Sequence, residues 1–157
     1  MVLKCFLSSF FMVSVASAQV GMDLESKILT QLRPLNADNQ LPQGESKKEI
    51  LLYFWATWCP ECKEKLTGFF KGSDVYEKFD VYLVATDKEA EKIEHFQKKF
   101  SIKPQVVLDL DRKLQKELKV FSVPTTVLIE RSGAKLTVKK TQSGGDLQSL
   151  LNVRSSQ

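Results

Sequence analysis

Hydrophobic residues in this chain fall into unbroken runs, helical stripes and one alternating stretch, and the three patterns predict different elements. Ile50-Leu51-Leu52-Tyr53-Phe54-Trp55 and Val81-Tyr82-Leu83-Val84-Ala85 are continuous apolar runs of strand length, as expected of strands covered on both faces. Thr125 to Ile129 is a third strand, Gln105 to Leu108 a short one, and Lys135 to Lys140 alternates after a Ser132-Gly133 turn. Helical spacing links Cys62, Leu66, Phe69 and Phe70, with Pro60 suited to the first turn and Gly72 to the stop. It also links Ala90, Ile93, Phe96 and Phe100 behind Asp87, placed to cap. A short helix is predicted around Leu114 to Leu118, and Asp146 can cap a last one carrying Leu147, Leu150 and Leu151. Strands alternating with helices and closing on a hairpin predict an α/β protein, a central mixed sheet flanked by helices.

The two ends of the pattern read differently. Lys4, the apolar run Phe6 to Val15 and Ala16-Ser17-Ala18 form the three regions of a secretory signal peptide over residues 1–18. The run is too short for a relaxed membrane span, which needs about 20 residues, so no span is expected in the mature protein. Residues 19–48 are polar and weakly patterned. Leu24, Ile28, Leu29 and Leu32 could share one side of a short helix ending before Pro34, and Asn36 to Lys48 reads as loop. This divides the chain into 1–18, an N-terminal extension 19–48, and a domain 49–157.

Composition adds limits. With 43% hydrophobic and 27% charged residues the chain is an ordinary globular one. Its net charge of +4, one less without Lys4, implies neither a nucleic-acid footprint nor a polybasic membrane segment. Removing residues 1–18 also removes Cys5, leaving Cys59 and Cys62 as the only thiols of an exported, periplasmic or otherwise extracytoplasmic protein.

Those two cysteines carry the candidate chemistry. They would make a poor structural staple, because a bond across two intervening residues closes almost no loop. A structural zinc needs four ligands, and beyond the pair there is one histidine, His95, which reads as a surface residue of the charged helix. No metal site and no cofactor is expected. Cys59 at a helix start faces free backbone N–H groups and the positive dipole end, which favour its thiolate. Cys62 lies one turn further in, within disulfide reach and more covered. Cys59 would attack a partner disulfide and Cys62 would then displace the partner. Glu61 opposes thiolate formation by like charge while Lys63 and Lys65 favour it.

Phe54-Trp55-Ala56-Thr57-Trp58-Cys59-Pro60-Glu61-Cys62 resembles the active-site stretch of thioredoxin-fold proteins, and FWATWC resembles their exported TlpA-like and ResA-like branch. Phe121-Ser122-Val123-Pro124-Thr125-Thr126 resembles the same family's V-P-T-T segment. The stretch between them, with Val106 to Asp109, resembles the αβ insertion of the TlpA-like branch. The resemblance covers residues 49–152. It implies a thioredoxin-like fold and a cis Val123-Pro124 bond beside the cysteines, with Val123 backbone groups offered to a substrate strand. It implies a protein-disulfide reductase acting on exported substrates, such as those of cytochrome c maturation, and a membrane-embedded thiol donor. A monomer is expected. Trp58 reads as an exposed flank that contacts partners, and Trp55 as core.

Two positions depart from the family. Thioredoxins carry a buried aspartate where this chain has Tyr53, a poor base at neutral pH. The TlpA-like branch often carries a glutamate where this chain has Lys65; Glu64, one place short, is the remaining candidate for a proton relay. An alternative is a copper-handling protein binding Cu(I) through the soft thiolates, although related copper carriers space their cysteines more widely and add a histidine. A non-catalytic module is disfavoured by the presence of both cysteines and Pro124. The W-C-x-x-C setting disfavours a peroxidase.

Overall fold

The computed structural model describes residues 21–25, 29–30, 32–35, 47, 49–72, 74–102, 106–144 and 147. The signal peptide and most of the last helix lie outside these residues. At the centre runs β3 (Glu49–Trp55), parallel to β4 (Asp80–Ala85) and antiparallel to β6 (Thr125–Ser132). β5 (Val106–Leu108) extends the parallel side, and β7 (Lys135–Ser143) continues the other as a hairpin. With β1 (Asp23–Glu25) and β2 (Arg33–Pro34) the sheet has seven strands in the order β1-β7-β6-β3-β4-β5-β2.

The apolar run of β3 is explained by what covers it. Leu51, Tyr53 and Trp55 join a core layer with Leu66, Phe70, Ile93 and Phe96, from α1 (Pro60–Thr67), α2 (Phe69–Gly72) and α4 (Ala90–Phe100). Ile50, Leu52 and Phe54 point the other way, onto Leu114 and the adjoining Leu118 of the segment holding α5 (Lys113–Glu117). All six side chains are fully buried. The strand's period of two therefore feeds two separate layers, and no polar face is needed.

Three expectations change. Leu24 lies in β1, paired with Leu136, and Pro34 lies in β2, paired with Val107, so Leu24 belongs to a strand and not to the expected helix, while Ile28 lies outside the described residues. Leu24, Leu29 and Leu32 are nevertheless buried against the Ile50 layer: they are apolar because they face the core, in another backbone form. The sheet thus extends into the segment read as an N-terminal extension. The cysteine helix breaks at Gly68, whose N–H donates to Glu64 O at 2.9 Å, before α2 resumes and ends at Gly72. A short α3 (Val75–Lys78) then leads into β4.

Candidate active site

β3 ends where the antiparallel β6 begins, with Phe54 opposite Thr125, which places the segments that follow β3 and precede β6 at one edge of the sheet. Past Trp55 the chain turns through Ala56, whose carbonyl accepts from Cys59 N at 3.2 Å, and enters α1 with Pro60 at the first turn. Cys59 is the N-cap residue. Its sulfur accepts the Cys62 N–H at 3.1 Å, so a donor left over at the helix start is directed at the sulfur. Cys59 and Cys62 are joined, with an S–S distance of 2.06 Å. Cys59 retains 5% exposure and Cys62 none, the order expected for an attacking and a resolving thiol.

The Val123–Pro124 bond is cis. Pro124 is buried, and half-buried Val123 packs against the layer that holds both cysteines. Trp58 is 71% exposed and Trp55 fully buried, as their positions suggested. Phe121, not singled out from the sequence, is 80% exposed just before the cis bond. Pro60 and Glu61 are exposed on the first turn.

The two proton-handling positions lie in opposite environments. Tyr53 is fully buried in the cysteine layer, its ring 4.7 Å from Phe70, and its hydroxyl has no hydrogen-bond partner among the described residues. Burial, with smaller contributions from Glu61 and Glu64, pushes its pKa well above the ordinary 10.0. It stays neutral at working pH and cannot act as a base there. Glu64 points into solvent with 78% side-chain exposure, 4.0 Å from Lys65. A carboxylate so placed does not lie beneath Cys62.

Asp87 corrects a further expectation. The helix it was to cap begins at Ala90 with Glu89 as N-cap, and no side chain caps it. Asp87 instead accepts from Thr57 N at 2.9 Å and from Thr57 Oγ1 at 2.7 Å. Beside it, Thr86 donates to Trp55 O through both its N–H and its hydroxyl. The loop after β4 therefore holds the end of β3 and the loop before Cys59 by two hydrogen bonds each. No sequence signal distinguishes such an aspartate from a cap, since the choice depends on a partner 30 residues away. Among the described residues no third metal ligand joins the cysteines.

Residues 31–135 match the AhpC/TSA family. The sporulation thiol-disulfide oxidoreductase A of Bacillus subtilis is 30% identical over 102 residues, covering 62% of this chain and 60% of that protein. The match thus spans less than two thirds of that relative. The thiol-disulfide oxidoreductase ResA of Geobacillus kaustophilus is 26% identical over 144 residues, 90% of this chain and 80% of the relative. Among solved structures, StoA from Bacillus subtilis gives a TM-score of 0.55 at 24% identity, over 80% of this chain and 90% of that one. A thiol:disulfide interchange protein DsbE from Chlorobium tepidum gives 0.56 at 21%, over 68% and 75%. At such identities the structural likeness shows the fold.

Proposed function

The chain belongs to the AhpC/TSA family and has a thioredoxin-like fold, and from that premise we propose that it is an exported thiol–disulfide oxidoreductase, most simply a reductase of protein disulfides. One observation carries this reading: Cys59, the less covered of a bonded pair, caps a helix with its sulfur held by the Cys62 N–H. In the reduced protein the Cys59 thiolate attacks one sulfur of a partner disulfide. A Cys59–partner bond forms and the other partner sulfur leaves as a thiolate, which takes up a proton. Cys62, deprotonated, then attacks Cys59 and releases the second partner thiol. The partner gains two electrons and the protein ends as Cys59–Cys62.

The names of the relatives support the reaction class. The periplasmic or otherwise extracytoplasmic setting rests on the signal-peptide pattern of residues 1–18. A membrane-embedded thiol donor, substrates of the cytochrome c maturation kind and a monomeric state complete the proposal. Trp58, Val123 and the added Phe121 supply a contact surface around the reactive sulfur. The Cu(I) reading gains no supporting observation.

The test is trapping. Cys62→Ser should accumulate a mixed disulfide through Cys59, while Cys59→Ser traps nothing and reduces no insulin. Absence of any trapped adduct together with undiminished insulin reduction by Cys62→Ser would sink the assignment. Direction is read from the potential against glutathione: below about −200 mV indicates a reductase, near about −120 mV an oxidant.

A further inference from the structure

We propose that a groove beside the disulfide, between α4 and the first turn of α1, docks an acidic segment of the partner protein; this rests on the exchange reading above and specifies its partner. Thr57, two residues before Cys59, lines the groove together with Lys63, the residue after Cys62. The space is about 530 Å³. Its floor is apolar: Phe96 packs at tilted angles between Trp55, ring centres 5.3 Å apart, and Phe100, 4.7 Å apart.

The walls carry three lysines, one histidine and one carboxylate. Lys92, His95 and Lys99 are three and four residues apart and so share one stripe of α4. Lys63 Nζ lies 4.3 Å and Lys99 Nζ 5.5 Å from the Phe100 ring centre, within the range where a cation is held over a ring face. Neither has a carboxylate within ion-pair distance among the described residues. Lys92 by contrast is paired with Glu89 at 2.8 Å, and Glu91 is the one carboxylate of the lining. Away from the groove the same helix neutralises its charge locally, Lys98 with Glu94 at 2.8 Å. Lys63 and Lys99 are therefore the two groove cations left without a local carboxylate, and they stand over Phe100 in a concavity whose lining flanks the redox motif on both sides. Two unpaired lysines on an aromatic floor complement a peptide carrying carboxylates with intervening apolar stems. A segment seated there would lie against the Cys59 loop, which Asp87 holds through Thr57.

Binding and chemistry are tested separately on the oxidised and reduced protein. A cysteine-free peptide rich in glutamate is titrated into the oxidised form while backbone amide resonances are followed. Shifts are expected at Thr57, Lys63, His95 and Lys99 at about 20 mM salt and are lost near about 500 mM. Lys92→Glu combined with Lys99→Glu should weaken binding by about tenfold. Lys116→Glu with Lys119→Glu, in the α5 segment across the sheet, changes net charge equally and should change affinity less than about twofold. The proposal is overturned by absent shifts at those four residues, by equal shifts with a lysine-rich peptide, or by equal losses in the two double variants. In the second arm the reduced protein should reduce a disulfide flanked by glutamates about tenfold faster than one flanked by lysines at low salt. Equal rates there also overturn it. Peptide binding with no reduction of either disulfide leaves the groove standing and removes the exchange reading.

Discussion

Asp87 shows how much one carboxylate does at the reactive loop. It satisfies both the backbone and the hydroxyl of Thr57, and charge-assisted hydrogen bonds are the stronger kind. Asp87→Ala should lower the stability of the oxidised protein by about 1–3 kcal/mol, read from the urea midpoint. Tyr53 makes the opposite case. Its buried hydroxyl has no partner among the described residues, so Tyr53→Phe should leave stability unchanged or raise it by about 1 kcal/mol. A loss of that size instead would reveal a bound water, and slowed resolution of the trapped intermediate would reveal a proton relay. At this scale the sequence exposed the cysteines, Trp58 and Pro124, because each sits in a contiguous motif. It concealed Thr57–Asp87, because two short polar residues carry no mark of their partner until the strands between them are paired.

Elements were legible where burial was two-sided. Ile50 to Trp55 and Val81 to Ala85 have no polar position, and nothing but a central strand fits a run so short. The edge strands were not legible. Leu24, Leu29 and Leu32 sit at spacings close to a helical stripe, and two- or three-residue strands are too short to show alternation. The break between α1 and α2 depends on Gly68, where an added Cβ would meet Glu64 O at 3.0 Å. Gly68→Ala is therefore expected to cost about 1 kcal/mol by overpacking, measured by thermal unfolding. Across the central strand, Arg131 of β6 donates to Asp80 of β4 at 2.9 Å and to Lys47 O at 3.2 Å. Asp80 is only 6% exposed. Arg131→Leu should cost about 3 kcal/mol by leaving that charge alone, and adding Asp80→Leu should recover most of it.

For the molecule as a whole, alkaline pH is the revealing condition. Tyr53, Tyr76 and Tyr82 all have pKa values pushed up, in each case chiefly by burial. Unfolded tyrosines release their protons from about pH 10 while the folded ones hold theirs. The unfolded state thus binds fewer protons there, and stability falls as pH rises above that value. The combined Tyr53→Phe and Tyr76→Phe variant should lose stability less steeply over that range, followed by unfolding at a series of pH values.

The sheet's two outermost strands have a bearing on how the protein avoids pairing with other chains. A strand at the border of a sheet is an open template for another chain, and incompletely folded proteins are the chains most ready to add to it. Here one border is two residues long, Arg33 and Pro34, both solvent-exposed, and Pro34 has no N–H to give. The other is three residues long and carries Asp23 and Glu25. Among the described residues neither border strand is longer than three residues, which gives an added chain little to pair with. Short borders of this kind limit edge-to-edge pairing between copies of the protein as well as with other chains.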